Sequence, residues 1–242
     1  MDIESAKEVL IVIPTYNEES LIEKNIVKLR NFLLLNFNQG WRIIVADNAS
    51  NDETVNKVKE LSEKYPDVTW FHINQAGKGR AIKKAIMENE ADIILFMDAD
   101  LSTDLSAIPL SIDTINDGYD IAIGCRLLEE SQVERAFRRE LLSRGYNLLL
   151  KLLFRVNFSD AQCGFKALRR KAIIGLLPKV KDDGWFFDTE LLIYSKQKGL
   201  KIKELPIKWR ERKESKLPIF KIVFQYGFSL CKLRLRLLNE RV

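Results

Sequence analysis

The chain has 242 residues, 46% of them hydrophobic and 30% charged, enough to bury a full core, and the length favours one large domain over two small ones. No apolar run reaches the ~18 residues that a membrane-spanning helix needs, and the acidic, polar segment 1–10 is not a secretory signal, so any membrane contact is expected to be peripheral. Three scattered cysteines without a CxxC pair and a single histidine, His72, weigh against zinc sites, disulfide scaffolds and Ser-His-Asp chemistry, and fit a reducing cytosol.

Apolar, β-rich runs alternate with helical patterns through the first half. Residues 9–14 read as a strand, 18–35 as a helix, 41–46 as a strand and 52–64 as a helix. The alternation continues with a strand at 68–74, a helix at 79–89, a strand at 93–97, a helix at 105–117 and a strand at 121–124. This order predicts an α/β fold, a mostly parallel sheet with helices on both faces, whose ligands bind beyond the carboxyl ends of the strands. From residue 133 the pattern changes. The stretch 133–158 reads as helical, and within it Tyr146 to Phe154 is very apolar yet flanked and interrupted by Arg144, Lys151 and Arg155. It reads equally as a core helix and as an interfacial one. A second such segment, 217–238, sets Phe220, Ile222, Phe224, Tyr226 and Phe228 among Lys221, Lys232, Arg234 and Arg236. The expected division is one α/β domain over 1–216 and a basic amphipathic membrane-surface helix over 217–242.

Charge is split along the chain. Residues 1–125 hold 21 acidic and 12 basic side chains, against 13 and 27 in residues 126–242. An acidic half for a metal and a basic half for phosphates has this form. Nucleic acid is the competing partner for the basic half, ranked lower because no nucleic-acid-binding motif is present.

Asp98-Ala99-Asp100 follows directly on an apolar strand. Alternate residues of an extended chain point the same way, so both carboxylates can leave the strand end together, as a Mg2+ or Mn2+ ion bridging a diphosphate requires. The competing reading is a helix N-cap and turn. Asp47, at the end of the second strand, is placed for a ribose hydroxyl or a base edge, whereas Asp52 is expected to cap the next helix. After the first strand, Pro14 fixes the exit of the chain, and Tyr16 and Glu18 are placed for a base. Gly77-Lys78-Gly79-Arg80 opens a helix where backbone amides can meet a phosphate, though a plain turn explains it nearly as well.

The blocks PTYNE, DNASND, GKG and DADLST, in this order and spacing, resemble the family 2 (GT-A fold) glycosyltransferases. In the second half Gly124-Cys125-Arg126, the 160–166 block DAQCGFK, the 185–190 block WFFDTE and the 207–210 block IKWR resemble the polyprenyl-phosphate sugar transferases. QCGFK and FDTE look closest to the dolichyl-phosphate β-glucosyltransferase branch. The resemblance covers residues 9–235, nearly the whole chain. It implies a GT-A-like fold and inverting transfer of one sugar, glucose favoured, from a nucleotide-diphosphate sugar (UDP-glucose favoured) to a polyprenyl or dolichyl phosphate at the cytosolic membrane face. It also implies Pro14, Tyr16, Glu18, Asp47, Lys78 and Asp98 at the nucleotide and Asp98 with Asp100 at the metal. Arg126 would face a phosphate, while Gln162 and Asp188 line the sugar pocket. Arg144, Lys151, Arg212 and Lys216 are candidates for the acceptor phosphate or the membrane. The eukaryotic glucosyltransferases carry an N-terminal anchor that is not expected here.

Asp188 reads as a general base if the acceptor is a sugar hydroxyl. If the acceptor is a phosphate, already largely ionised near neutral pH, it orients the donor instead. It reads also as the N-cap of a helix. Cys163 is expected as a small buried residue, and Trp185 with Phe186 as core or as an aromatic platform. The rivals are a GDP-mannose-dependent mannosyltransferase, a transferase acting on a sugar hydroxyl, and a non-catalytic membrane or nucleic-acid binding module on a transferase fold.

Overall fold

The computed structural model describes residues 7–211 and 219–239. Its first half follows the alternation read from the sequence: β1 (Val9–Thr15), α1 (Ile22–Asn36), β2 (Trp41–Asn48), α2 (Thr54–Lys64), β3 (Val68–Ile73), α3 (Lys78–Glu88), β4 (Ile93–Phe96), α4 (Ala107–Asn116) and β5 (Ile121–Cys125). The second half adds β6 (Gln132–Glu134), α5 (Phe137–Phe154), β7 (Lys166–Arg169), α6 (Arg170–Ile173), α7 (Phe187–Gln197), β8 (Ile202–Pro206), β9 (Lys208–Arg210) and α8 (Ile219–Asn239).

Seven strands form one sheet in the order β3-β2-β1-β4-β7-β5-β8, with β6 and β9 paired separately. Every pairing in the large sheet is parallel except those of β7, which runs antiparallel between β4 and β5. Strands buried on both faces show no polar alternation. In β1, Leu10 and Val12 enter one core with α3, α5, α7 and α8, while Val9, Ile11 and Ile13 enter the other with α1, α2 and α4. The expected mostly parallel sheet with helices on both faces is thus the one that forms.

The reversed strand positions the site. Because β7 runs against its neighbours, its first residue, Lys166, sits at the carboxyl edge of the sheet, paired with Phe96 of β4 and Ile123 of β5. The loop 160–165 therefore enters beside the residues that follow β4. The sequence reading had no strand here, since Lys-Ala-Leu-Arg carries no strand pattern.

Helix α5 is shorter than the expected 133–158 stretch, because residues 132–134 form β6 and Arg155, at φ 54°, ends the helix in the left-handed region. Asn147 and Leu150 of α5 are buried and Tyr146, Leu153 and Phe154 pack against the core, while Leu148, Leu149 and Leu152 are exposed, so Tyr146 to Phe154 is a core helix on one face and a surface helix on the other. Helix α8 presents Leu230, Leu233 and Leu237 to the same core as α5 and α7 and leaves Phe228, Leu235 and Leu238 exposed. Among the described residues no helix is long and apolar enough to cross a membrane.

Helix α3 meets α7 at a glycine. A Cβ on Gly79 would lie 2.5 Å from Phe187 Cβ and 2.8 Å from its Cγ. Gly79→Ala therefore forces the two helices apart. A net loss of roughly 1–3 kcal/mol is expected despite the better helix propensity of alanine, seen as a lower urea midpoint at unchanged m-value.

Candidate active site

The loops after β1 and β2 are stitched together. Asn17 N donates to Ser50 Oγ (2.9 Å), Asn51 N to Asn17 Oδ1 (2.9 Å), Glu18 N to Thr54 Oγ1 (2.9 Å) and Glu53 N to Glu19 Oε2 (2.9 Å). The N-cap position of α2 is Glu53, so the cap reading of Asp52 is replaced: one residue earlier, Asp52 takes the amides of Thr54 (3.0 Å) and Glu19 (3.3 Å), serving the start of α2 and tying the β1 loop. Of the four described non-glycine residues with positive φ, three lie on loops at this edge: Asn17 (53°), Ala49 (65°) and Leu101 (51°). Strained backbone gathered at one edge is a mark of a functional site.

Asp47 is fully buried beneath these loops. Its Oδ2 accepts from Ser50 N (3.2 Å) and lies 2.6 Å from His72 Nδ1, while its Oδ1 is buried with no hydrogen-bond partner. A buried carboxylate oxygen without a donor is costly, and an incoming N–H or ribose hydroxyl relieves it. Pro14 is half-buried and Tyr16 exposed on the same rim, with the Glu18 backbone held between the two loops.

Asp98 and Asp100 leave the end of β4. Asp100 folds onto its own turn, accepting from Ser102 N (3.0 Å) and Ser102 Oγ (2.6 Å). Asp98 is pinned from two sides. Lys78 Nζ donates to its Oδ1 at 2.8 Å. On the other side it lies over Gly164, where any Cβ would fall 1.8 Å from Asp98 Oδ2. Burial opposes the charge on Asp98, yet Lys78, with Lys166 and Arg126 further off, holds its carboxyl below the usual carboxylate range.

The Gly77–Gly79 block does something other than cradle an anion. Gly77 N donates to Asn48 Oδ1, Gly79 N to Gly184 O (3.2 Å) and Arg80 N to Asp183 O (3.0 Å), so the first amide is spent on the end of β2 and the other two on the 183–184 loop. What α3 brings to the site is the side chain of Lys78. It is buried, 2.8 Å from Asp98, 3.9 Å from Asp188 Oδ2, and 5.0 Å from the centre of the half-exposed Trp185 ring.

Asp188 lies in the first turn of α7, whose N-cap position is Phe186, so the N-cap reading of Asp188 is replaced. Its Oδ1 is 2.5 Å from the Nζ of the fully buried Lys166, which also donates to Cys163 O (2.5 Å). Gln162 donates to Thr189 Oγ1 (3.4 Å), which Tyr146 also reaches at 2.8 Å. Burial pushes the Tyr226 hydroxyl up to about 12. Phe186 packs under Tyr226 as core, and Cys163 is a small buried residue as expected.

Arg126 forms a bidentate pair with the fully buried Asp160, Nε at 2.7 Å and Nη2 at 2.8 Å, and Asp160 also takes the Arg126 amide (3.0 Å). Nearby, Arg135 was missed by the sequence reading. Its side chain is 4% exposed, Nε and Nη2 have no hydrogen-bond partner, and the nearest carboxylate, Glu140, is 3.9 Å away. Burial and Arg126 both push it below the ordinary arginine value. Arg144 pairs with Glu140 on the surface (2.8 Å) and Lys151 reaches Ser159 Oγ (3.2 Å). Arg212 and Lys216 lie outside the described residues.

The structure thus brings Asp47, Lys78, Asp98, Asp100, Gln162 and Asp188 to one edge, with Arg126 within electrostatic reach of Asp98. Among the described residues no cluster of three or more His, Cys, Asp or Glu side chains could hold a metal. Two adjacent carboxylates that leave the remaining ligands to a diphosphate suit Mg2+ or Mn2+, which bind through one or two carboxylates and substrate phosphates.

The Arg126–Asp160 pair sets an acid limit on stability. Burial opposes the charge on Asp160, but Arg126 holds its carboxyl below the usual range. The stability it contributes is therefore complete above the unfolded aspartate value of about 3.9 and lost as pH falls through the lower folded value. Asp160→Ala strands a buried guanidinium and is expected to cost roughly 3–5 kcal/mol near neutral pH. Urea unfolding from pH 7 down to pH 3 should show a shallower acid loss in the variant than in the native protein.

The glycosyl transferase family 2 model matches residues 10–177. Glycosyltransferase AglD of Haloferax volcanii is 31% identical, the match covering 93% of this chain and 36% of that protein. Dolichyl-phosphate beta-glucosyltransferase ALG5D of Trichomonas vaginalis is 32% identical, covering 87% and 68%, and the dolichol-phosphate mannosyltransferase of Pyrococcus furiosus is 34% identical, covering 90% and 61%. The chain thus spans about a third of AglD and about two thirds of the other two. The crystal structure of glucosyl-3-phosphoglycerate synthase from Mycobacterium tuberculosis with Mn2+, uridine-diphosphate-glucose and phosphoglyceric acid shares the fold. Its TM-score is 0.71 at 17% identity, covering 94% of this chain and 79% of that one. With the matched model spanning β1 to the segment beyond α6, the chain belongs to glycosyl transferase family 2, in the branch that holds the dolichyl-phosphate β-glucosyltransferases.

Proposed function

We propose that the chain transfers one glucose, with inversion, from UDP-glucose to a polyprenyl or dolichyl monophosphate while docked on the cytosolic face of a membrane. The observation that carries the acceptor half of this reading is Arg135, a buried guanidinium with two nitrogens lacking partners beside the Arg126–Asp160 pair. A fork of N–H donors matches the oxygens of a phosphate.

The donor half rests on Asp47 for the nucleoside and on Asp98 and Asp100, with Mg2+ or Mn2+, for the diphosphate. When bound, the ion neutralises charge that grows on the leaving diphosphate. Mn2+ and uridine-diphosphate-glucose in the mycobacterial neighbour support this assignment. An acceptor phosphate oxygen forms the new bond to the anomeric carbon as the bond to the UDP oxygen breaks, and UDP leaves. No proton need be removed from an acceptor that arrives ionised. The arrangement at Asp188 agrees, since Lys166 holds one oxygen and Lys78 faces the other, leaving neither clear to accept a proton from a hydroxyl. Asp188 and Gln162 then orient the sugar.

The membrane reading rests on α5. Phe137, Leu141, Leu148 and Leu152 are 78%, 62%, 58% and 71% exposed. At 3.6 residues per turn they fall on one stripe, with Arg144 and Lys151 along its edge. Exposed Phe228, Leu235 and Leu238 give α8 a similar outer face, in keeping with the membrane-surface helix expected over 217–242, of which 217–218 and 240–242 lie outside the described residues. Free Cys125, Cys163 and Cys231 fit a reducing compartment. The polar partner expected is a lipid phosphate and not nucleic acid.

The test is incubation of purified protein with Mg2+ or Mn2+, a short polyprenyl phosphate and a panel of labelled nucleotide sugars that includes UDP-glucose and GDP-mannose. Label should enter the lipid from UDP-glucose and vanish in Asp98→Ala. Lipid label from GDP-mannose would reassign the sugar, as the mannosyltransferase relative allows. Nucleotide release without labelled lipid would reject the lipid acceptor. Arg135→Met, which keeps length and removes charge, should raise the acceptor KM about tenfold or more with the donor KM unchanged. A variant with native acceptor KM removes the argument from Arg135.

A further inference from the structure

Four charged side chains form a continuous ladder across the site. Asp98 Oδ1 meets Lys78 Nζ at 2.8 Å, Lys78 Nζ faces Asp188 Oδ2 at 3.9 Å, and Asp188 Oδ1 meets Lys166 Nζ at 2.5 Å. Two carboxylates alternate with two ammonium groups, so the ladder is neutral as it stands. Lys78, Asp188 and Lys166 are all buried, and the part-exposed Asp98 has the backbone of Gly164 against its other oxygen.

A divalent ion that joined this ladder alone would add two positive charges next to Lys78, of which the Asp100 carboxylate offsets only one. In a partly buried site that repulsion is poorly screened. A diphosphate arriving with the ion brings its own negative charge and offers Lys78 a new partner, while Asp188 already waits on the other side.

We propose that Lys78 is a metal gate: it occupies Asp98 in the metal-free protein, and a divalent ion gains that carboxylate by displacing it, which the donor diphosphate makes favourable. The gate rests on the metal-dependent donor site proposed above and adds to it an order of events. Metal binds weakly by itself and tightly together with nucleotide, beyond what shared phosphate ligands alone provide. Lys78 moves from Asp98 toward the diphosphate and Asp188, and in doing so leaves its place under Trp185, whose ring centre lies 5.0 Å from the ammonium nitrogen.

The experiment measures Mn2+ affinity by electron paramagnetic resonance, with and without UDP, in the native protein, Lys78→Met, Lys78→Gln and Lys78→Arg. Thermal unfolding reports on the fold, and Lys78→Gln, which keeps a donor for Asp98, covers a failure of the Met variant to fold. With UDP absent, the two neutral variants should bind Mn2+ about tenfold more tightly than the native protein, a difference of ~1.4 kcal/mol. The strengthening by UDP should shrink by the same factor, and Lys78→Arg should behave like the native protein. A second readout is Trp185 emission in a background with Trp41, Trp70 and Trp209 replaced by phenylalanine, expected to change when Mg2+ and UDP are added together with Lys78 present and to stay constant with Lys78→Met. Folded neutral variants with native or weaker Mn2+ affinity would overturn the gate alone. Native protein that binds no Mn2+ even with UDP would overturn the gate and the metal-dependent donor site together.

Discussion

Lys166 is the residue on which the site is built. An ammonium group wholly removed from water is costly unless it is paired and hydrogen-bonded, and Lys166 has Asp188 at 2.5 Å and the Cys163 carbonyl at 2.5 Å. Its burial follows from β7 running antiparallel between β4 and β5, which sets the first residue of that strand at the carboxyl edge. From that one placement the rest follows in space. The 160–165 loop must enter at the same edge, so Gly164 comes under Asp98 and Asp160 comes beneath Arg126. Asp188 is drawn to Lys166, which fixes the start of α7, and the close approach of α7 to α3 at Gly79 carries Lys78 into the gap.

The two halves of the chain meet at this ladder with opposite characters. The first half supplies Asp47, Asp98 and Asp100 on loops that hydrogen-bond one another and store backbone strain at Asn17, Ala49 and Leu101. Such loops are formed before any ligand arrives, which lowers the ordering cost of binding. The second half supplies arginines. Arg126 is fully committed to Asp160, whereas Arg135 is not committed to anything comparable. The split of charge along the sequence is therefore a division of labour within one edge of one sheet. It does not mark two independent regions.

Strands β1 to β5 and helices α1 to α4 were legible because double-sided burial writes long apolar runs and 3.6-residue patterns that nothing else explains. Boundaries shifted where local hydrogen bonding intervenes, as at Glu18, whose carbonyl accepts from Leu21 and Ile22 before α1 begins. Asp47, Asp98 and Asp188 were legible from strand ends and motif blocks. β7 was not, since a strand whose first side chain is a buried lysine is identified only once its carboxylate partner is known. The glycines of the 77–79 block were read for anion binding, but their reason is contact with the 182–187 segment, which lies about a hundred residues away in sequence. Arg135 stood among Arg138, Arg139 and Arg144 with no local signal, because only the folded chain separates a buried guanidinium from solvated ones.

The position of Arg135 also bears on why this α/β domain should carry a helix with so apolar an exposed face. Arg135 lies directly before α5, between β6 and the first exposed residue of the stripe, Phe137. A buried guanidinium with two nitrogens lacking hydrogen-bond partners and an exposed apolar face are thus separated by a single residue, Ala136. A free sugar hydroxyl would use neither feature. An amphiphile with an anionic head and a long apolar tail would use both, the head drawn inward toward Arg126 and Arg135 and the tail left in the bilayer against Leu141, Leu148 and Leu152. Leucines at these positions would otherwise be a solubility burden on the domain. Their place on one stripe, beside Arg144 and Lys151 and next to a guanidinium without full partners, has the form that the proposed lipid-phosphate acceptor would need.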